Sequence, residues 1–94
     1  MLDHTDDVAT QNQKLAEANN LGIRLTDELI AIGTQLNLAD VDMERAITIE
    51  EKRDKRIIWK TIKGKYKEKQ ARIKQLDRQI AIIKYFIKAE RNQF

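Results

Sequence analysis

The chain has no cysteine and no proline among its 94 residues. Without cysteine there is no disulfide framework and no thiolate metal site, and a reducing compartment suits such a chain. Without proline, no helix carries a proline kink. Histidine occurs once, as His4 in a lead-in segment expected to fray, so it supplies neither a metal-binding pair nor the base of a triad. Phosphate-binding loops, the dinucleotide glycine pattern and the nucleophile elbow are all missing. Asp40, Asp42 and Glu44 alternate along an expected helix, which scatters them around it, and no glycine-containing calcium loop accompanies them. An enzyme, a metal site and a cofactor are therefore not expected.

Long apolar runs are also missing. The richest window, "IAIIKYFIKA" at 80–89, is broken by lysines and is far shorter than the roughly 20 residues of a spanning helix. The opening "MLDHTDD" is acidic where a secretory signal would be positive and then apolar. These features lead to the expectation of a soluble, cytoplasmic chain, peripheral to a membrane at most. Aromatic residues are 5% and charged residues 35% of the chain, a balance that belongs to long helices rather than to sheets. A chain this short has little interior unless it assembles with partners, so oligomerisation is expected.

What the chain does have is heptad order. Counting Leu15 as the first seam position, alternating steps of three and four reach Ala18, Gly22, Leu25, Leu29, Ile32, Leu36, Ala39, Met43 and Ala46. No charged side chain interrupts that seam, which is the pattern of a coiled-coil strand and a candidate partner-binding surface. Ile23, Ile30, Leu38, Val41, Ile47 and Ile49 lie off it and broaden the apolar face beyond what a two-stranded dimer needs. A second series runs through Trp59, Ile62, Tyr66, Ile73, Leu76, Ile80, Ile83 and Ile87, with Lys69 at the step between Tyr66 and Ile73. Its phase differs by two residues from the first. One long helix with a stutter, or two helices with a break, would account for that. "TIEE" at 48–51 fits a capping box, "NLAD" at 37–40 offers Asp40 as a cap, and Gly64 is a weaker breaking point.

Charge divides the chain in the same region. Residues 1–50 carry ten acidic against three basic residues, and residues 51–94 carry fifteen basic against five acidic, or −7 against +10. Such a dipolar chain folds back on itself, pairs head to tail, or lays its basic half on phosphates. The expected fold is all-α: long helices forming a coiled coil or an antiparallel helical hairpin, assembling into a multi-helix bundle. The expected segments are a frayed acidic N-terminus (1–12), an acidic heptad helix (13–47) and a basic amphipathic helix (48–94).

Residues 22–43, "GIRLTDELIAIGTQLNLADVDM", resemble without a gap the core of Q-type SNARE motifs, in particular the first helix of the synaptosome-associated family of t-SNAREs. Gly22, Ile23, Arg24, Leu29, Gly33, Gln35, Leu36 and Met43 carry the likeness, and the upstream "QNQKLAEANN" is similar to the polar lead-in of such a helix. The resemblance implies parallel zippering with three partner helices in membrane trafficking or fusion. It covers 22–43 closely and the rest of the first half loosely. Ile32 stands where the family has its central glutamine, and after Ala46 the apolar layers give way to Glu50, Arg53 and Lys60.

Gly22 on the seam and Gly33 beside it weaken a free helix by about 2 kcal/mol together relative to alanine. They read either as places of close packing or as tolerated defects. The basic run of 52–74 contributes Lys52, Arg53, Lys55, Arg56, Lys60, Lys63, Lys65, Lys67 and Lys69, with Trp59 and Tyr66 among them. It suits contact with an anionic membrane surface, to which the SNARE resemblance adds a juxtamembrane role, or contact with nucleic acid. The plainer reading is a solvated lysine-rich face over a packed stripe. The function expected is helix-mediated assembly, in a SNARE-like hetero-bundle. The alternatives are a self-associating coiled-coil module, such as a bacterial or phage assembly, chaperone or regulator protein, and a nucleic-acid-binding hairpin.

Overall fold

The computed structural model describes residues 4–92, with side chains described for residues 8–90. The chain forms two helices, α1 (His4–Arg45) and α2 (Ile49–Asn92). At 1.5 Å per residue their 42 and 44 residues span about 63 and 66 Å, which matches the longest dimension of the molecule, 69 Å. The other two extents, 20 and 15 Å, are those of two helices lying side by side. Gly22 lies against Leu76 and Gly33 against Tyr66. A step of eleven residues up α1 thus corresponds to ten residues down α2, as an antiparallel hairpin requires.

Three residues, Ala46 to Thr48, make the turn, and so short a connection forces the helices to be antiparallel neighbours. The turn falls at "TIEE". The Thr48 hydroxyl oxygen accepts a hydrogen bond from the Glu51 N–H at 3.1 Å. The Glu51 carboxylate in turn accepts one from the Ile47 N–H at 3.3 Å. This is a capping box with its return bond shifted one residue upstream, and it satisfies donors that the first turn of α2 would leave unpaired. At the other end of the turn, the Ala46 N–H donates to the Met43 carbonyl at 3.4 Å, tightening the last turn of α1. No described residue takes a positive φ, so the reversal needs no glycine.

The "NLAD" segment and Gly64 lie inside helices, so neither breaks the chain. Residues 4–12, read from sequence as a frayed lead-in, belong to α1, while residues 1–3 lie outside the described residues. The phase change between the two apolar series now has a physical reason. Each series belongs to its own helix, and each needs only to face the other. All ten positions of the first seam and all eight of the second are buried or half-buried. Among the described residues the buried core is small: Leu25, Ala39, Leu76 and Ile87, of which only Leu25 is fully buried. Two helices share a single line of contact, so most seam residues keep one flank open to solvent.

Candidate functional site

The first seam is occupied by the chain's own second helix. The glycines make sense at that contact. A β-carbon on Gly22 would stand 3.5 Å from Leu76 Cδ2, and one on Gly33 would stand 3.4 Å from Tyr66 Cε2. Each glycine therefore seats a large α2 side chain, which an added methyl group would meet at ordinary contact distance. Gly64 differs, since nothing lies within 4 Å of its β-carbon position.

A polar layer interrupts the seam between these two seats. Lys69 holds the second-series position between Tyr66 and Ile73, and its Nζ reaches Glu28 Oε2 at 2.5 Å. The hydrogen bond from Lys69 is the main cause that holds the Glu28 carboxyl below its usual range. Desolvation opposes it, and the charges of Lys69, Arg24 and Arg72 add to it. Ile32, which stands where the SNARE family has its glutamine, is half-buried beside a groove it shares with Lys65, Glu68, Lys69 and Arg72. The polar group of this seam is thus one turn away from Ile32, and it is an ion pair.

The nine basic residues from Lys52 to Lys69 divide by surroundings. Lys55, Lys63 and Lys69 are half-buried, and Lys52, Arg53, Arg56, Lys60, Lys65 and Lys67 are exposed. Lys63 Nζ sits 4.5 Å from the centroid of the Trp59 ring, a cation–π contact. Trp59 also lines a groove of about 430 Å³ with Met43, Lys52 and Arg56 near the hairpin tip. Trp59 and Tyr66 are both half-buried at the helix contact. Neither ring stands free beside the lysines, so the basic face offers charge without an aromatic wedge.

The off-seam apolar residues correct the expectation of one broad face. At 3.6 residues per turn, Ile23, Ile30 and Val41 fall within about 20° of one another and roughly 150° from the middle of the first seam. They form a separate stripe on the side of α1 turned away from α2, and Ile23, Ile30, Leu38 and Val41 are all exposed. On α2, Ile57 and Ile82 are likewise exposed and lie roughly 150° from the second seam, with Phe86, also exposed, nearer to it at about 120°. The sequence reading missed this second stripe. The seven- and four-residue steps that link Ile57, Gly64, Ala71, Gln75, Ile82 and Phe86 were its only signal, and Gly64, Ala71 and Gln75 dilute it. Ile47 and Ile49, read as part of the same broad face, stand at the tip with 87% and 78% of their surface exposed.

Among the described residues there is no cluster of three or more metal-ligating side chains, and no helix is long and apolar enough to cross a membrane. The side chains that the fold brings together hold α1 and α2 against one another. Comparison with known proteins gave no match to a protein family, a curated protein or a solved structure.

Proposed function

We propose that this chain is a non-enzymatic helical assembly module: a hairpin that closes its inner seam on itself and offers its outer sides to further helices. The observation that carries this reading is the apolar stripe of Ile23, Ile30 and Val41, exposed along α1 opposite a seam that is already filled, with Leu38 exposed to one side of it. Exposed apolar residues scattered singly need no explanation, but aligned along one side of a rigid rod they mark an interaction surface.

The SNARE-like version of the reading makes a further demand. Leu25, Leu29, Ile32, Leu36 and Met43 would have to exchange α2 for partner helices, so the hairpin would open before joining a parallel bundle. Two measurements on the intact chain test the reading. A thermal midpoint that rises with the chain's own concentration supports self-assembly, by mass action. A gain in helicity and midpoint on mixing with Q- and R-SNARE helices supports the trafficking version. A midpoint that stays flat in both experiments overturns the assembly reading.

A further inference from the structure

The hairpin exposes far more surface than its mass requires. Its accessible surface is 7626 Å² for 11.0 kDa, whereas a compact monomer of that mass exposes about 5,600 Å² by the size scaling of folded monomers. The excess of roughly 2,000 Å² compares with about 1,600 Å² for two edges that each bury about 800 Å² per partner. With only four buried side chains among the described residues and no cysteine, the fold has little else to hold it.

The apolar stripes stand on the two opposite edges of the ribbon. One edge carries Ile23, Ile30 and Val41 of α1, the other Ile57, Ile82 and Phe86 of α2. Glu68 and Gln75 interrupt the second stripe and Asp27 flanks the first, but the threonines on the two stripes do not obstruct burial. The Thr34 hydroxyl already donates to the Ile30 carbonyl at 3.1 Å, and the Thr61 hydroxyl to the Ile57 carbonyl at 2.9 Å, so both can be covered without leaving a donor unpaired. Charge decides which edge meets which. Helix α1 carries eight acidic against three basic residues and α2 six against fifteen, giving −5 and +9. Helices of like net charge repel, and helices of unlike net charge attract.

We infer that the hairpins associate side by side, the α1 edge of one copy packing against the α2 edge of a second copy. Because the two edges differ and lie on opposite sides, the contact is heterologous. Each added copy presents a fresh edge, and growth continues into a ring or an open array rather than stopping at a dimer. This rests on the assembly reading and specifies its partner as the chain itself.

Complementation of two edge variants tests it. Ile23→Glu with Ile30→Glu blocks the α1 edge, and Ile57→Glu with Ile82→Glu blocks the α2 edge. All four positions are exposed, so circular dichroism should show the helicity of each variant unchanged. In sedimentation velocity, the unaltered chain should grow past two copies from micromolar to millimolar concentration. Each double variant alone should stay monomeric, and their equimolar mixture should give a heterodimer that grows no further. An unaltered chain that is monomeric at millimolar concentration, a dimer that stops growing, a variant that still self-associates alone, or a mixture that stays monomeric would each overturn the inference. If the unaltered chain assembles but the variants do not complement, the edge pairing fails while the assembly reading stands.

Discussion

Lys69 crosses from α2 to bond Glu28 of α1 at the one second-series position that sequence periodicity leaves without an apolar residue. The pair lies between two glycine seats, Gly22 with Leu76 and Gly33 with Tyr66. A slip of α2 by one heptad would carry Lys69 out of reach of Glu28 and set it near Leu21 or Gln35, where no carboxylate meets its charge. The layer therefore works as a register marker, as single polar groups do in other coiled coils.

Its pH dependence has a definite sign. The folded-state pKa of Glu28 is lowered, chiefly by the hydrogen bond from Lys69. The stabilisation is therefore fully present above the ordinary glutamate range, near about pH 4.3, and is lost as pH falls through the lower folded value. Thermal midpoints of the unaltered chain should drop more steeply than those of Glu28→Gln in that acidic window, and the two should run parallel above it. Parallel curves throughout would remove the pair from the account of stability.

Replacing Lys69 by leucine should separate stability from specificity. An apolar side chain at this seam position gains about 1 kcal/mol of burial, or roughly 4–8 °C in the midpoint for a domain of this size. The gain comes with loss of the register marker. Amide hydrogen exchange should then show weaker protection across residues 22–33 despite the higher midpoint. A variant that is both more stable and equally protected would show that the glycine seats alone fix the register.

The glycine seats make opposite predictions for small and large substitutions. Gly22→Ala places its methyl group at ordinary contact distance from Leu76 and removes the helix penalty of glycine, so it should stabilise the hairpin by up to about 1 kcal/mol. Gly22→Leu has to displace Leu76 and should destabilise by about 1–3 kcal/mol. The same order should hold at Gly33 opposite Tyr66. Urea denaturation of the four variants reads both signs.

Thr48 anchors the reversal. Thr48→Ala removes the acceptor for the Glu51 N–H and should cost about 1 kcal/mol, within the usual range for a lost helix cap. The loss should appear in amide exchange at the start of α2 before the middle of either helix is affected. Uniform loss of protection along both helices would mean that the cap holds the whole hairpin together.

How much of this was legible depended on whether a residue's partner could be inferred from its spacing alone. Both seams could, because a 3.6-residue helix buries one stripe whatever it meets, and Leu25 and Leu76 fall on their stripes without ambiguity. The turn was legible only as one of several places, since Thr48 and Glu51 form a pattern that also occurs inside helices, and no glycine or proline marks the reversal. Close packing at Gly22 was legible as one of two readings, but its partner was not, because only the antiparallel register brings residue 76 to residue 22. The same register turned Ile23 and Ile30 from a widening of the seam into a separate outer edge.

Trp59, the only tryptophan, gives a probe of how α2 meets an anionic surface. Its ring is half-buried at the helix contact, in a groove it shares with Met43, and under the Lys63 ammonium. Six exposed cations between Lys52 and Lys67 surround that part of the helix. Binding to anionic vesicles by those cations alone would leave the ring where it is and weaken as salt screens the charge. The expected outcome is co-flotation that falls with salt while the Trp59 emission maximum stays fixed. A blue shift on vesicle binding would show that the ring leaves the seam for the lipid interface. The hairpin would then have opened at its tip. Met43→Ala should red-shift Trp59 in the absence of vesicles by opening the groove to water, which establishes that the probe responds to this contact.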